Sequence, residues 1–138
     1  MAPFTLNHID HVVFRVADLD RSVAFYRDVL GCTMDKWRDD LGLFHLRAGT
    51  ALIDLVLLTG RLGIEGGAGP GREGRNVDHV CLRIAPFDED AILNHLVHYG
   101  VQPLAPVAIN YGADGNGPSL YIKDPDGNVV ELKGPSGD

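Results

Sequence analysis

Apolar and polar residues alternate along two stretches of the chain that have nearly the same sequence. The first, "DHVVFRVA", begins at Asp10, and the second, "DHVCLRIA", begins at Asp78. In each stretch every second residue is apolar, as in a strand with one buried face, and a histidine and an arginine share the opposite face. The two stretches therefore predict two β-strands, each with an apolar face towards a core and a polar face away from it.

The segments that follow these strands repeat as well. "DLDRSVAFYRDVLG" and "PFDEDAILNHLVHYG" each combine acidic residues at the start, an apolar stripe at helical spacing and a glycine at the end. Asp18 or Asp20 can cap the first helix, and the terminal glycines, Gly31 and Gly100, suit helix ends. The strand, the helix and the glycine that ends the helix thus follow in the same order in both halves, which indicates an internal duplication.

Three further strand patterns follow in each half. They cover residues 34–38, 43–47 and 51–58 in the first half and residues 103–109, 119–123 and 128–133 in the second. A turn before the last strand is predicted at "DPDG", since Pro125 presets φ and Gly127 tolerates positive φ. Each half therefore has the order β-α-β-β-β, and the predicted fold class is α+β, a single domain with modules at about 6–59 and 76–134.

Two glycine-rich segments interrupt these patterns. "GRLGIEGGAGPGREGRN" joins the modules over about residues 60–75, and we expect a flexible linker there, with a mobile lid over a ligand as the alternative. "NYGADGNGP", at residues 110–118, is interpreted in the same way.

Composition and charge restrict the class of partner. The 138 residues suit one domain, and a net charge of −7 disfavours nucleic acid and anionic membranes as partners. There is no apolar run of about 20 residues, as a membrane span needs, and no signal-peptide pattern, so we expect a cytoplasmic protein. Cys32 and Cys81 lack metal-type spacing, and both are expected to be free, buried thiols.

Histidines and carboxylates fall at corresponding places in the two halves. His11 and His79 lie on the polar strand faces, and the last strand of each half places one acid, Asp54 or Glu131, among apolar residues. Singly, such residues are more often structural. Their recurrence under a repeat favours one divalent metal held by His11, His79 and Glu131, because imidazoles and carboxylates suit Zn²⁺, Mn²⁺, Fe²⁺, Co²⁺ and Ni²⁺. The shorter Asp54 is expected to reach the metal through water or to act as a base on the substrate.

The remaining histidines are assigned lesser roles. His8 is an alternative to His11 as a metal ligand, but its side chain would lie on the opposite face of the strand and it has no counterpart in the second half. Ordinary strand or helix-surface positions are expected for His45, His95 and His98.

The stretches "HIDHVVFRVADLDRSVAFYRDVLG", "VDHVCLRI" and "LYIKDPDGNVVEL" resemble the vicinal oxygen chelate superfamily. That superfamily includes glyoxalase I, extradiol dioxygenases, fosfomycin-resistance enzymes and bleomycin-resistance proteins. The resemblance implies two modules that form a cupped mixed β-sheet around one divalent metal ion, with His11, His79 and Glu131 as ligands. Asp54 falls where glyoxalase I has a fourth ligand, although glutamate is usual there.

The resemblance also implies residues for substrate binding and catalysis. Arg15 matches a position that contacts the glutathione carboxylate in glyoxalase I, and its repeat counterpart, Arg83, is expected to bind substrate too. Tyr121 falls where many members direct a tyrosine at the site, so Tyr121, Asp54 and Glu131 are the expected catalytic residues. A strand aromatic packed on a neighbour is the alternative for Tyr121.

Several functions fit this set of residues. We expect a metal-dependent enzyme that binds a small substrate through neighbouring oxygens, with glyoxalase-like lyase or isomerase chemistry. The alternatives are an extradiol-type Fe²⁺ dioxygenase, a fosfomycin-resistance-like transferase or hydrolase, and a metal-free protein that sequesters a drug. We also expect a homodimer, because a long glycine tether between similar modules favours domain swapping.

Overall fold

The computed structural model describes residues 1–137. The chain divides into two compact units, the first comprising Met1–Gly69 and the second beginning at Pro70. Each unit contains one four-stranded mixed sheet and the helical segments that connect its strands. The predicted α+β class and the β-α-β-β-β order of each half are thereby confirmed. Within residues 1–137, no helix has the length and the hydropathy that a membrane crossing requires.

The first unit consists of one sheet and three helical segments. Its elements are β1 (His11–Val16), α1 (Leu19–Ala24), a π-helical turn (Phe25–Val29), β2 (Thr33–Arg38), β3 (Leu43–Ala48), β4 (Ala51–Leu57) and α2 (Arg61–Glu65). The strand order is β1-β4-β3-β2, with β1 parallel to β4 and the other pairs antiparallel. Asp18 caps α1, since its carboxylate accepts a hydrogen bond from the Arg21 N–H at 3.0 Å.

The second unit repeats this topology. Its elements are β5 (Val80–Arg83), α3 (Glu89–His98), β6 (Ala108–Gly112), β7 (Gly115–Lys123) and β8 (Val129–Lys133). The strand order is β5-β8-β7-β6, again with the first strand parallel to the last. The same order of parallel and antiparallel pairs in both units is what an internal duplication predicts.

One face of each sheet packs into the core of its own unit. In the first unit Tyr26 is fully buried and its ring stacks on Phe14 at a centroid distance of 6.0 Å. Buried apolar residues at alternate strand positions complete these cores, as the sequence pattern predicts: Val16, Phe44, Leu46, Ile53 and Leu55 in the first unit, and Leu120, Ile122, Val130 and Leu132 in the second.

The glycine-rich segments differ from the expectation of flexible loops. Residues 61–65 form helix α2, and residues 110–118 lie almost entirely in the β6–β7 hairpin. Both interpretations as loops are therefore wrong in these parts. The strand expected at 103–109 starts later, at Ala108, because Pro103 and Pro106 cannot donate to a strand ladder.

The two cysteines occupy different environments. Both are free thiols, as expected, and Cys32 is buried, but Cys81 is exposed, so the expected burial of Cys81 is wrong. The reason is strand parity, since Cys81 shares the polar face of its strand with Arg83 and lies opposite Leu82.

Gly63 allows α2 to pack closely on the end of β4. A Cβ atom at Gly63 would lie 2.0 Å from the Leu57 carbonyl oxygen and 2.6 Å from the Leu58 Cα. We expect Gly63→Ala to lower the free energy of unfolding by about 2 kcal/mol, as overpacking against backbone does. A lower midpoint of thermal unfolding checks this. Gly71→Ala is the matched control, since its Cβ would contact nothing within 4 Å. A G63A midpoint equal to that of G71A would contradict the prediction.

Candidate metal and substrate site

A buried carboxylate lies on the polar face of the second sheet. Glu131 of β8 is 5% exposed, and its Oε1 lies 3.2 Å from Nε2 of His79. Its Oε2 is buried and has no hydrogen-bond partner among residues 1–137. A buried charge with one oxygen unsatisfied is costly, and in native proteins it usually marks a missing ligand, ion or water.

Strand register brings the surrounding side chains together. Glu131 is paired with Cys81 of β5 on one side and with Tyr121 of β7 on the other, so the three side chains share one face. His79, just before β5, lies on the same face, and its ring meets the Tyr121 ring edge-on at a centroid distance of 5.3 Å. The second unit therefore collects three of the expected site residues: His79, Tyr121 and Glu131.

The contacts of His79 test whether a cation fits here. Its Nδ1 lies 2.7 Å from Oδ2 of Asp78, while its Nε2 faces Glu131. A neutral imidazole carries only one N–H, so only one of these two contacts can be a hydrogen bond. If Nδ1 donates to Asp78, a cation between Nε2 and Oε1 satisfies both remaining lone pairs. Such a carboxylate on the far nitrogen is the usual partner of a metal-binding histidine. The donor set therefore fits a divalent metal.

The Glu131 carboxylate also influences its neighbours. Burial, followed by the charge of Glu131, raises the pKa of the Tyr121 hydroxyl. Although Cys81 is exposed as a residue, partial desolvation of its thiol, followed by the charge of Glu131, raises the pKa of this thiol to about 11. Both groups are therefore neutral at physiological pH, so Tyr121 is a hydrogen-bond donor and Cys81 is a weak nucleophile.

A second pair of side chains lies on the polar face of the first sheet. Asp54 of β4 is 3% exposed and is paired with His45 of β3. The distance between Oδ1 of Asp54 and Nδ1 of His45 is 2.7 Å. His45 lies on a strand, as expected, but its contact with the buried Asp54 was not predicted. Alternation along β3 places His45 opposite Phe44 and Leu46, but only the β3–β4 register, which the sequence does not state, pairs it with Asp54.

His11 lies on the same face of the first sheet as Asp54, because Val13, two residues further on, is the register partner of Asp54. Nδ1 of His11 lies 2.7 Å from Oδ1 of Asp10. This hydrogen bond raises the pKa of His11, burial opposes the effect, and the charge of Asp54 adds to it. The contact reproduces that between Asp78 and His79, so the repeated "DH" dipeptide places an acid on Nδ1 of each histidine.

Both arginines expected to bind substrate are engaged within their own units. Arg15 donates to the carbonyl oxygens of Gly63 at 2.8 Å, Gly67 at 2.5 Å and Ala68 at 3.1 Å. Arg83 pairs with the carboxylate of Asp114. A substrate anion would have to compete with these contacts, which hold residues 63–68 and the β6–β7 turn.

The structure brings together His79, Tyr121 and Glu131 in the second unit, and His11, His45 and Asp54 in the first. Across residues 1–137, no three or more His, Cys, Asp or Glu side chains are grouped so that they could hold a metal ion. Of the three expected metal ligands, the pair that is in contact is therefore His79 and Glu131.

Comparison with known proteins identifies relatives of this chain. Virulence protein STM3117 from Salmonella typhimurium is 26% identical over 127 residues, which are 92% of this chain and 83% of the relative. The crystal structure of that protein aligns with a TM-score of 0.77 and 22% identity, over 96% of this chain and 100% of the other.

Two structures of named activity share the fold. The fosfomycin resistance protein FosX from Listeria monocytogenes aligns with a TM-score of 0.69 and 17% identity, over 96% of each chain. Lactoylglutathione lyase from Agrobacterium tumefaciens aligns with a TM-score of 0.67 and 24% identity, over 94% of this chain and 95% of the lyase. A family model matches residues 8–132. The chain therefore belongs to the Glyoxalase/Bleomycin resistance protein/Dioxygenase superfamily, the vicinal oxygen chelate superfamily that its sequence resembles.

Proposed function

We propose that this chain is a divalent-metal-dependent enzyme that binds a small substrate through two neighbouring oxygens and catalyses lyase or isomerase chemistry. His79 and Glu131 hold the metal, and His11 completes the ligand set. The observation that carries the proposal is the buried Glu131 carboxylate, whose Oε2 has no hydrogen-bond partner in the described part of the chain. The assignment of His11 as a metal ligand rests on the internal repeat and on the family resemblance.

The energetics favour a cation over a purely structural role for Glu131. Burying an unpaired carboxylate costs several kcal/mol, and a structural glutamate would satisfy both oxygens. Here Oε1 lies beside a histidine whose other nitrogen contacts Asp78, and Oε2 has no hydrogen-bond partner among residues 1–137. A divalent cation offsets the buried charge, which a metal-free drug-binding protein has no reason to retain.

A bound divalent metal supplies Lewis acidity to the two neighbouring oxygens of the substrate. The protein contributes orientation and proton donors. Asp10 and Asp78 fix the rings of His11 and His79 through their Nδ1 atoms. Tyr121, kept protonated, donates a hydrogen bond towards negative charge that develops on a substrate oxygen.

A homodimer is part of the proposal. It rests on the glycine-rich segment that joins two similar modules, since such a tether favours the exchange of modules between two copies of the chain. Analytical ultracentrifugation measures the oligomeric state.

Elemental analysis of tag-free protein tests the proposed function. We expect about one equivalent of zinc, nickel, cobalt or manganese per site, together with isomerisation of small hydroxycarbonyl compounds by the loaded protein. Iron with cleavage of catechols would instead favour the extradiol dioxygenase. Addition of water or a thiol to fosfomycin would favour the resistance enzyme. No metal after reconstitution would contradict the proposal and favour a metal-free binding protein.

A further inference from the structure

We propose that a cavity beside the metal site binds a phosphate group, and that the substrate is therefore a small phosphorylated compound. This inference rests on the proposed function and names the class of its substrate. The residues that line the cavity all belong to the second unit, and its volume of about 670 Å³ lies within the range of about 300–1,000 Å³ that is typical of small-molecule sites. Three cationic residues line it: Arg72, Arg75 and Lys123.

The cavity adjoins the metal site on one face of the second sheet. Lys123 of β7 lines the cavity and lies two residues after Tyr121. Val129 of β8 also lines it and lies two residues before Glu131. Side chains two residues apart on a strand share a face and are separated by about 7 Å along it. A three-carbon hydroxycarbonyl phosphate that is held at the metal site is long enough to reach the cavity.

The charges of the cavity favour an anion with several oxygens. Two acidic residues, Asp78 and Asp126, also line it, so positive residues outnumber negative ones there, although the chain as a whole has a net charge of −7. The carboxylate of Asp78 is engaged with Nδ1 of His79 at 2.7 Å. A phosphate ester carries a charge of about −1.5 to −2 and three acceptor oxygens, which three cations can match better than they match a single carboxylate.

Arg75 is held in position by hydrogen bonds that lead back to a buried acid. Its guanidinium donates to Oδ1 of Asn128 at 3.0 Å and to the carbonyl oxygen of Asp126 at 2.6 Å. The Asn128 amide is oriented in turn, since its Nδ2 donates to Oδ2 of the buried Asp124 at 2.8 Å. Both acceptors of Arg75 are neutral, and a guanidinium has five N–H donors, so Arg75 keeps its charge and further donors for an oxyanion. Such pre-organisation reduces the entropic cost of binding.

This role accounts for two sequence motifs that the metal site does not use. The glycine-rich stretch "GPGREGRN", at residues 69–76, supplies Arg72 and Arg75, and the "DPDG" turn supplies an acceptor that holds Arg75. Gly127 of that turn allows the guanidinium to lie close to the backbone, since a Cβ atom there would be 2.9 Å from Nη2 of Arg75. The glycine-rich segment therefore carries binding residues in addition to joining the modules.

The first test titrates inorganic phosphate into metal-free protein and measures binding by isothermal titration calorimetry. We expect about one phosphate per chain at about pH 8, above the second pKa of a phosphate group. Lys123→Gln and Arg75→Gln should each weaken binding by about tenfold or more, because each removes a charged donor to the anion. The matched control is Lys36→Gln, at an exposed lysine of β2, which should bind phosphate like the parent.

Two results of this titration would overturn the inference. One is that K123Q binds phosphate as tightly as K36Q does, and the other is that the parent binds acetate as tightly as phosphate. Lys123 is exposed, so K123Q should fold like the parent even if R75Q loosens the turn that Arg75 holds. Thermal unfolding of each variant checks this.

The second test measures deuterium uptake in D₂O by mass spectrometry, with protein that carries the metal it retains. The probes are dihydroxyacetone and dihydroxyacetone phosphate, which share their neighbouring oxygens and differ in the phosphate group. We expect kcat/KM for exchange to be about 100-fold or more higher for the phosphorylated probe, because the bound phosphate contributes binding energy to the transition state. K123Q should reduce this preference by about tenfold, and K36Q should retain it.

The outcomes separate this inference from the proposed function. If the metal-loaded parent exchanges both probes equally well, the phosphate subsite is wrong while the proposed function stands. If it exchanges neither probe, the assigned substrate class is wrong, even where the metal-free protein binds phosphate. If the parent holds no metal, the proposed function fails and the substrate assignment fails with it, and the titration then decides the ligand of the cavity alone.

Discussion

Replacing Glu131 with glutamine is expected to weaken metal binding by roughly 10²-fold or more. Loss of a residue that merely orients a metal ligand typically costs about 10- to 100-fold in affinity, and a direct ligand should cost at least as much. Glu131 is the buried acid in contact with His79, and glutamine keeps its shape but removes its charge. Competition with a chelator measures the affinity, and elemental analysis measures the retained metal. His79→Ala should lose metal in the same way.

The same variant distinguishes a metal ligand from a structural acid. Metal-free E131Q should be at least as stable as the metal-free parent, because it no longer buries a carboxylate with one unsatisfied oxygen. Metal at about 100 times its dissociation constant should stabilise the parent by about 2.7 kcal/mol and the variant hardly at all. Thermal unfolding with and without metal gives both values.

Glu65→Gln is the matched control, since it makes the same chemical change at an exposed carboxylate at the end of α2. It should bind metal like the parent. If E131Q holds metal as tightly as E65Q does, Glu131 is not a ligand. If metal-free E131Q unfolds well below the parent, the carboxylate is structural after all.

Much of the fold could be predicted from the sequence because the signals repeat. The alternation of apolar and polar residues in both "DH" strands indicated which strand faces are buried. Helix caps and terminal glycines indicated where the helices begin and end. Asp18 and Asp88 cap α1 and α3, and Gly31 and Gly100 follow with positive φ. These are local effects, so a single sequence is sufficient to find them.

Contacts between distant residues could not be predicted in this way. His45 was missed because its partner, Asp54, is identified only once the β3–β4 register is known. The contacts of Arg15 were missed for a similar reason, since they join β1 to carbonyl groups 48 to 53 residues later. Helix α2 was not predicted, because the glycines of this segment were interpreted as a sign of flexibility. Gly63 is instead needed for close packing.

Asp124→Ala is expected to lower the free energy of unfolding by about 3 kcal/mol. Asp124 is 5% exposed, and its Oδ1 accepts hydrogen bonds from the N–H groups of Asp126 at 2.9 Å and Asn128 at 2.7 Å. Its Oδ2 accepts from the side-chain amide of Asn128 at 2.8 Å. Hydrogen bonds to a charged group contribute about 1.5–3 kcal/mol each, but water recovers part of this at a turn. Urea unfolding followed by circular dichroism measures the loss.

Asp124→Asn separates the hydrogen bonds from the charge. The amide oxygen of asparagine can still accept from both backbone N–H groups, so D124N should recover more than half of the stability that D124A loses. Because this turn leads directly into β8, whose third residue is Glu131, D124A should also weaken metal binding, and D124N should restore it. Equal stability of D124A and the parent would show that Pro125, Gly127 and the hydrogen bonds from Arg75 are sufficient to hold the turn. Weak metal binding in a fully stable D124A would instead require Asp124 to act on the site directly.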